Sequence, residues 1–301
     1  MSKSPLISIG MPAYNAEAYI GLALEGLLTQ TCGDFELIVS DNASTDGTRD
    51  VVESYRARDR RIRYERQPSN IGANLNYSRV AQLAEGEYFK WASSSDWCAP
   101  TFLDRCLLAL RKSPDAVLAV PRTRLFEGAP AVSREYEGDI DVIDETPSAR
   151  FRTVMSTMAL NNAINGLIRM PALRHSPLIR PYRGSDGVLM AHLALLGKFL
   201  LLDEALYFRR MEAATSTVLQ DSAAVWRHHY PQPSARMLMQ GSKRHLGYLR
   251  SVLSAPMSVA ERIRTLALLA RVFNWDRRAL AEDLRGVWHY LSHRSLPGQT
   301  G

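Results

Sequence analysis

The chain has 301 residues, of which 46% are hydrophobic and 23% charged, and its formal net charge is +6. This length allows one large domain or two small ones, and the composition excludes disordered, collagen-like and disulfide-stapled proteins. The three cysteines, Cys32, Cys98 and Cys106, lack the spacing of metal ligands and suit a reducing compartment. Because we find neither an apolar run of transmembrane length nor the pattern of a signal peptide, we expect a cytoplasmic protein.

The positive charge is concentrated in the last quarter of the chain. Residues 225–301 contain 12 Lys or Arg and 4 Asp or Glu, a net charge of +8, whereas the remaining residues contain 25 and 27, a net charge of −2. A basic region favours nucleic acid, an anionic membrane or an acidic substrate as its partner, and the charge alone does not choose between them.

The first half of the chain alternates short apolar runs with helical patterns. Strands are predicted at residues 6–11, 35–39, 62–65, 88–92 and 116–121, and helices at residues 18–28, 48–58, 73–84 and 101–111. This alternation predicts βαβ units in a mainly parallel central sheet flanked by helices, with the loops that follow the strands at one edge. The second half is less regular, with helices predicted at residues 150–162 and 187–196, strands at 166–170 and 199–202, and mostly helix after residue 221.

Four polar segments follow the predicted strands in order. They are YN at the end of ISIGMPAYN (residues 7–15), SDNASTDGT (40–48), NIGANLN (70–76) and SSSD (93–96) with a proline at position 100. In this order and spacing they resemble glycosyltransferase family 2, whose members have the Rossmann-like GT-A fold of nucleotide-diphospho-sugar transferases. The resemblance covers residues 5–216. It implies a GT-A domain at 1–220, with a nucleotide-binding half at 1–121 and an acceptor half at 122–220, and leaves a basic helical C-terminal extension at 221–301.

The residue types in these loops fit a nucleotide sugar. Tyr14 is suited to stack on a uracil or thymine ring, and the Asp41 carboxylate to accept the pyrimidine N3–H. The structural alternative for Tyr14 is a half-buried core tyrosine, and for Asp41 it is an aspartate that stabilises a turn or caps a helix. Asp46 is more typical of a turn or a cap. The nucleotide-binding residues implied by the resemblance are Pro12, Ala13, Tyr14, Asn15, Asp41, Asn70, Gly72, Asn76, Ser94 and Ser95.

The resemblance places the family's Asp-x-Asp metal motif where this chain has serines, with the metal-binding position at Ser95 and only Asp96 retained. In the family that motif binds Mg²⁺ or Mn²⁺, which neutralises the leaving diphosphate. Three interpretations are open. Asp96 binds the divalent cation with Ser95 as a weak ligand, or cationic side chains replace the metal, or the protein binds sugar nucleotides without transferring the sugar. The candidate cations are Lys90, Arg183, Arg209 and Arg210.

The resemblance also implies inversion at the sugar by direct displacement, with one carboxylate as the base that deprotonates the acceptor hydroxyl. Asp186, in the Gly-Ser-Asp segment before a predicted helix, matches that base, and its structural alternative is a helix cap. Gly166 matches a glycine-containing strand beside the sugar and acceptor, with a strand bulge as the alternative. Arg209 and Arg210 match a Tyr-Arg segment, although the histidine that many relatives carry next is absent.

The expected function is therefore an inverting hexosyl- or deoxyhexosyltransferase that uses a UDP- or dTDP-sugar. Its acceptor would be a glycan, a lipid-linked molecule or a small molecule, in cell-surface polysaccharide or glycoconjugate biosynthesis. The basic C-terminal helices, with Trp275, Trp288 and Tyr290, suit peripheral contact with the anionic inner face of the membrane. The alternatives are packing on the catalytic domain or on a second copy in a homo-oligomer. Because no recognised motif accompanies the charge, we expect no nucleic-acid partner.

Overall fold

The computed structural model describes residues 4–212 and 238–293, so the predicted domain boundary at 220/221 lies outside the described residues. The described residues form nine strands: β1 (Ile7–Ala13), β2 (Phe35–Asp41), β3 (Ile62–Arg66), β4 (Tyr88–Trp91), β5 (Trp97–Cys98), β6 (Ala116–Phe126), β7 (Ser133–Glu135), β8 (Leu167–Arg169) and β9 (Lys198–Arg210). They also form ten α-helices: α1 (Glu17–Leu28), α2 (Thr48–Arg56), α3 (Ala73–Leu83), α4 (Phe102–Lys112), α5 (Pro147–Thr157), α6 (Met170–His175), α7 (Ser185–Leu196), α8 (Gln240–Ser254), α9 (Val259–Trp275) and α10 (Arg277–His293).

All nine strands belong to one sheet in the order β3-β2-β1-β4-β8-β6-β9-β5, with β7 paired to β6. Strands β1 to β4 are mutually parallel and β9 is parallel to β6, whereas the short strands β5, β7 and β8 pair antiparallel. The predicted mainly parallel sheet flanked by helices is confirmed. The chain moves outward from β1 to β3 and then returns to β4 on the other side of β1. A ligand crevice is expected where the order of parallel strands reverses in this way, at the carboxyl ends of β1 and β4.

Two strands extend well beyond the predicted segments. The predicted strand at 116–121 continues past Pro121 to Phe126, and the predicted strand at 199–202 continues to Arg210. The pairing of β6 with β9 shifts register on both sides of Arg122. An irregularity next to Pro121 explains how the strand continues, because proline cannot donate a hydrogen bond to a regular ladder.

Helices cover the sheet on both faces and enclose two apolar clusters. One cluster joins β1 to helices α1, α2 and α4, and the other joins β4, β6 and β8 to helices α3, α5 and α7. The second cluster also contains Tyr248 and Val252 of α8 and Leu269 of α9. The C-terminal helices α8 and α9 therefore share a core with the sheet domain.

The burial pattern of helix α7 explains why helix α8 packs against the sheet domain. Nine of the 12 residues of α7 are buried, and they lie around the whole helix instead of along one stripe. Such a helix must be enclosed by neighbours on all sides, and α5 and α8 pack against it. No helix in the described ranges combines the length and the apolar character needed to cross a lipid bilayer.

Candidate active site

A cleft of about 610 Å³ opens at the carboxyl ends of β1 and β4, where the strand order predicts a ligand. The turn after β1, the loop after β2, the first turns of α3 and the serine loop after β4 form its walls. Its lining residues are Pro12, Ala13, Tyr14, Asn15, Ala16, Glu17, Ala18, Tyr19, Asn42, Asp46, Ala73, Asn76, Tyr77, Ser93, Ser94 and Ser95. Seven of the ten predicted nucleotide-binding residues are in this set, and Asp41, Asn70 and Gly72 are not.

The turn after β1 is held rigidly and presents Tyr14 at the mouth of the cleft. Asn15 has a φ of +46°, a left-handed conformation that asparagine tolerates better than most residues. Its N–H donates to Ser44 Oγ at 3.0 Å, and its side-chain oxygen accepts from the N–H of Thr45 at 2.9 Å. The Tyr14 side chain is 42% exposed, so its ring is available to a planar ligand.

Asp41 is fully buried, and its carboxylate serves the loop after β2. One oxygen accepts from the Ser44 N–H at 2.8 Å and the other from the Tyr64 hydroxyl at 2.6 Å. Burial raises the pKa of Tyr64 above its usual range, and the hydrogen bond to Asp41 adds to the rise. The structure does not place this carboxylate in the cleft, and it favours the structural alternative for Asp41.

The Asn-x-Gly loop is also stabilised by its own polar groups. Asn70 Oδ1 accepts from Asn42 Nδ2 and from the Gly72 N–H, both at 2.8 Å. Gly72 has a φ of +86°, which a glycine adopts without strain, and α3 begins after it. Asn76 lines the cleft, but its amide is bonded to the hydroxyl (2.6 Å) and carbonyl (2.9 Å) of Ser40. These residues shape the cleft wall more than they offer free groups to a ligand.

The serine loop after β4 faces the cleft with its hydroxyls, while Asp96 turns away into the protein. Asp96 Oδ1 accepts from the Arg210 N–H at 3.0 Å, and Oδ2 accepts from the Tyr207 hydroxyl. Ser93 Oγ and Ser95 Oγ are hydrogen-bonded to each other at 3.0 Å. Ser94 makes no hydrogen bond within the described residues.

A divalent cation does not fit these groups. Both oxygens of Asp96 are already held by β9, and the serines offer only neutral oxygens, whereas Mg²⁺ and Mn²⁺ prefer carboxylates. Across residues 4–212 and 238–293, no three carboxylate, imidazole or thiol side chains are grouped to hold a metal ion. The expectation that Asp96 and Ser95 bind the metal is therefore not supported by their placement, and we derive no reaction step through a metal.

Two predicted cationic residues have structural roles. Lys90, only 1% exposed, donates from Nζ to the carbonyls of Trp91 (3.0 Å) and Asn165 (2.7 Å) and lies 4.3 Å from the Phe102 ring centre. Arg210, also buried, donates to the carbonyl of Ser95 at 3.0 Å and so holds the serine loop. Both residues therefore have structural roles, and the expectation that they clamp the diphosphate is not supported by their placement.

The resemblance implies a histidine near Met211 or Glu212, and in the structure Glu212 is a bonded carboxylate. Glu212 accepts from the Tyr19 hydroxyl and the Gly128 N–H, each at 2.9 Å, and pairs with Arg210. The Gly128 N–H, followed by Arg210 and Tyr19, holds the pKa of Glu212 below its usual range. This ionised group links the cleft residue Tyr19 to the arginine that fixes the serine loop.

The remaining predicted residues lie outside the cleft. Gly166 is required by packing, because a Cβ there would lie 2.7 Å from the carbonyl oxygen of Ala119 in β6. The expected substrate contact at Gly166 stays a prediction, and this packing gives a structural reason for a glycine there. Arg183 is exposed in the segment before α7. Arg209 Nη1 donates to Asn162 Oδ1 at 2.5 Å.

Asp186 lies in the first turn of α7 and accepts from Asn161 Nδ2 at 3.0 Å. The residue that caps α7 is Gly184, not Asp186. Asp186 lines a second cavity, of about 780 Å³, enclosed by α5, α7, α8 and α9. Asp186 and Asp96 therefore do not line one common cavity.

Tyr77, which the sequence analysis missed, connects the two regions. It lines the cleft, and its pKa is raised to about 12 by burial first and then by the charges of Asp96 and Asp186, while Arg209 opposes the rise. The charges of Asp96 and Asp186 thus both influence this phenol, which lines the cleft, although Asp186 lines a separate cavity. Its position beside Asn76, in the helix after the Asn-x-Gly loop, could have identified Tyr77 as a cleft residue from the sequence. Tyr19 and Asn42 also line the cleft, and the sequence analysis did not name them as candidates.

A mainly parallel sheet with a polar cleft at the reversal of strand order defines an α/β protein that binds its ligand at the carboxyl ends of the strands. The family model described as "Glycosyl transferase family 2" matches residues 8–165, more than half of the chain. The chain belongs to glycosyl transferase family 2, and the resemblance found in the sequence is confirmed.

Relatives with named roles match part of the chain. TuaG of Bacillus subtilis (strain 168), a glycosyltransferase named for teichuronic acid biosynthesis, is 28% identical in an alignment 181 positions long that covers 51% of this chain and 70% of that protein. A chondroitin synthase of Escherichia coli is 33% identical over 112 residues, which are 37% of this chain but only 16% of that larger protein.

Solved structures share the fold at low sequence identity. S. aureus TarS 1-349 in complex with UDP-GlcNAc has a TM-score of 0.64 at 18% identity, covering 90% of this chain and 74% of that one. The mannosyltransferase PcManGT from Pyrobaculum calidifontis, in complex with GDP-Man and Mn²⁺, has a TM-score of 0.55 at 13% identity, covering 98% and 78%. The expected GT-A fold is thereby confirmed, and at these identities the likeness extends to the fold alone.

Proposed function

We propose that the chain is an inverting glycosyltransferase that binds a UDP- or dTDP-sugar in the cleft after β1 and β4. The observation that carries the proposal is the cleft itself, which gathers Tyr14, Asn76 and the serine loop from three distant segments at the expected edge of the sheet. The acceptor is a glycan, a lipid-linked molecule or a small molecule. The names of the relatives in teichuronic acid and chondroitin synthesis, and the UDP-GlcNAc complex of TarS, support a cell-surface polysaccharide or glycoconjugate as the product.

In this proposal Tyr14 stacks on the base, since it is the exposed aromatic ring of the cleft mouth. The diphosphate lies along the serine loop, where the Ser94 hydroxyl has no partner among the described residues and is available to donate. Arg209 is the cationic candidate for the diphosphate, because its charge acts on Tyr77 in the cleft wall and, unlike Lys90 and Arg210, it is not buried. Arg210 contributes indirectly by fixing the backbone of Ser95.

Asp186 is the proposed catalytic base. The acceptor oxygen attacks the anomeric carbon while its proton passes to Asp186, and the bond between that carbon and the diphosphate oxygen breaks. One carboxylate oxygen is bonded to Asn161, which orients the group and leaves the other oxygen for the acceptor. The acceptor would enter from the 780 Å³ cavity and meet the donor near Tyr77.

A donor-binding and turnover experiment tests both parts. UDP, dTDP and GDP are titrated calorimetrically into the wild type and Tyr14→Ala, and hydrolysis of UDP- and dTDP-sugars is followed in Asp186→Asn. Loss of one stacking contact is worth about 1–3 kcal/mol, so Tyr14→Ala should weaken UDP or dTDP binding roughly 5- to 150-fold. Asp186→Asn should keep donor affinity and lose turnover, while the control Asp203→Asn, at an exposed carboxylate, should change neither. If no nucleotide binds, the whole proposal fails, and if Asp186→Asn keeps full turnover, Asp186 is not the base.

A second candidate function is sugar-nucleotide binding without transfer. It is favoured by the tied carboxylate of Asp96 and by the placement of Asp186 in a separate cavity. Under this alternative the wild type binds UDP but turns over no donor, and Asp186→Asn behaves like the wild type in both assays.

We further propose that the enzyme works at the inner face of the membrane through α9 and α10. These helices expose Val259, Ile263, Leu284 and Leu291. Arginines accompany them in the sequence, and apolar side chains among arginines suit an anionic lipid surface. Sedimentation with phosphatidylglycerol vesicles tests the placement: Ile263→Ser with Leu284→Ser should release the protein. A concentration-dependent dimer that the same changes dissociate would instead identify a second copy as the partner.

A further inference from the structure

A third cavity, of about 740 Å³, lies on a different face of α8 from the Asp186 cavity. It is enclosed by the end of α6, the segment that leads into α7, one buried residue of α7, and α8. Its lining residues are Leu75, His175, Ser176, Pro177, Arg180, Pro181, Tyr182, His192, Lys243, Leu246, Gly247, Arg250, Ser251 and Ser254. We call it the basic cavity.

The charge of the basic cavity has one sign. Arg180, Lys243 and Arg250 line it, and among the described residues in its wall there is no aspartate or glutamate. The side chains of Arg180 and Arg250 have no ion pair or hydrogen bond within the described ranges. Both act on the same phenol: burial raises the pKa of Tyr182, and the charges of the two arginines oppose the rise. Arg180 and Arg250 thus line the same cavity as Tyr182.

Two buried polar atoms in the same wall lack partners. His192 Nδ1 and Ser251 Oγ have no hydrogen-bond partner among the described residues, although each side chain belongs to a residue only 2% exposed. Burial lowers the pKa of His192 to about 4, against the effect of a backbone hydrogen bond with His175, so the imidazole is neutral at pH 7. Because buried polar groups in native proteins are nearly always hydrogen-bonded, these two atoms mark a wall whose polar groups lack protein partners among the described residues.

The segment that carries Arg180 is fixed without any ligand. The carbonyl of Arg180 accepts from Asn74 Nδ2 at 2.9 Å and from Ser185 Oγ at 2.7 Å. Gly247 allows α8 to approach this segment, because a Cβ there would lie 2.3 Å from the Tyr182 hydroxyl oxygen. Ligand binding therefore has to order only side chains, which lowers its entropic cost.

We propose that the basic cavity binds a phosphate group, as a monoester or a diphosphate, attached to an apolar group. Arg180, Lys243 and Arg250 match a dianion, and guanidinium groups pair with phosphate through two parallel hydrogen bonds. Leu75, Leu246 and the neighbouring prolines supply the apolar wall for the attached group. This site goes beyond the donor cleft of the proposed function, with which it shares no lining residue.

The test uses phenyl phosphate as a soluble probe and phosphatidic acid as a lipid probe with the same monoester. Phenyl phosphate is titrated calorimetrically into the full chain and into the double variant Arg180→Gln/Arg250→Gln. Sedimentation compares phosphatidylcholine vesicles containing phosphatidic acid with vesicles containing phosphatidylglycerol, a phosphodiester. The matched control is Arg111→Gln, an exposed arginine of α4 in the nucleotide-binding half whose side chain makes no hydrogen bond or ion pair among the described residues. UDP binding is measured in parallel, so that failure of the donor cleft is recognised separately.

We expect the double variant to weaken phenyl phosphate binding at least tenfold, the control to leave it unchanged, and UDP affinity to be the same in all proteins. A preference of the wild type for phosphatidic acid vesicles, lost in the double variant, identifies a lipid headgroup as the source. Binding of phenyl phosphate without that preference identifies a soluble phosphate ester. The proposal is overturned if neither probe binds, or if Arg111→Gln weakens binding as much as the double variant.

Discussion

Replacing Asp96 by Asn tests whether its carboxylate is a structural acceptor or a metal ligand. In the structure this group joins the serine loop to β9 through the Tyr207 hydroxyl and the Arg210 N–H. The amide oxygen of Asn can keep the bond from Arg210, but the charge-assisted bond from Tyr207 is lost. A hydrogen bond to a charged group contributes about 1.5–3 kcal/mol, so we expect the free energy of unfolding to fall by that amount.

Tyr207→Phe removes the same hydrogen bond from the other side and provides the matching half of a double-mutant cycle. Tyr207 is buried, and burial, together with the charge of Asp96, raises its pKa well above the usual range. The hydroxyl therefore stays protonated and donates. Tyr207→Phe should cost about 1.5–3 kcal/mol, and the double variant should cost clearly less than the sum of the two single changes.

The assay is urea denaturation followed by tryptophan fluorescence for the two single variants, the double variant and the exposed control Asp203→Asn. Binding of UDP is measured beside it with and without Mn²⁺. We expect any effect of Mn²⁺ on UDP affinity to be the same in Asp96→Asn and the wild type. Additive energies in the cycle, or an Asp96→Asn protein of unchanged stability that has lost an effect of Mn²⁺, would refute the structural role of Asp96.

Two further predictions concern stability. Gly166→Ala should destabilise the fold by about 1–3 kcal/mol, because the added Cβ meets the Ala119 carbonyl. The control Gly33→Ala, where no atom lies within 4 Å of the added Cβ, should be nearly neutral. An unchanged midpoint in urea together with a raised KM for the acceptor would instead indicate that Gly166 contacts the substrate. The pKa of His192 is about 4 when folded and 6.5 in an ordinary environment, so the unfolded chain binds its proton first as pH falls. His192 should thus contribute up to about 3 kcal/mol that is fully present above pH 6.5 and lost on the way down to pH 4, and His192→Gln should flatten that part of the stability profile. Identical profiles for the two proteins would contradict the burial argument.

The sequence was sufficient for the parallel half of the fold because each strand there is short and is followed by a turn or a cap. The sequence was insufficient for β6 and β9, which pair with each other through ten residue pairs. Strand β6 continues through Pro121, and β9 continues through the exposed residues Asp203 and Glu204. Local signals at those positions predict a strand end. The strands continue because each is the other's hydrogen-bonding partner, and such a partner some 80 residues away is invisible to a local pattern.

In the candidate site, too, some features follow from local sequence and others depend on distant residues. The convergence of Tyr14, Asn76 and the serine loop follows from strand order and loop composition, and both are readable in the sequence. The inward turn of Asp96 depends on Tyr207 and Arg210, which are more than 110 residues further along the chain. Lys90 is a similar case, because it sits in a strand buried on both faces and takes backbone carbonyls as its partners.

The burial of nine of the 12 residues of α7 has a consequence for how the protein is made. The helix ends at Leu196, and the helix that covers it, α8, ends at Ser254, about 60 residues later. At a translation rate of about 5–20 residues per second, the ribosome needs roughly 3–12 s to supply that cover. During this interval the nascent chain presents an almost wholly apolar helix to the cell. We therefore expect the yield of this enzyme in a host to follow chaperone capacity and translation speed more closely than the stability of the finished fold.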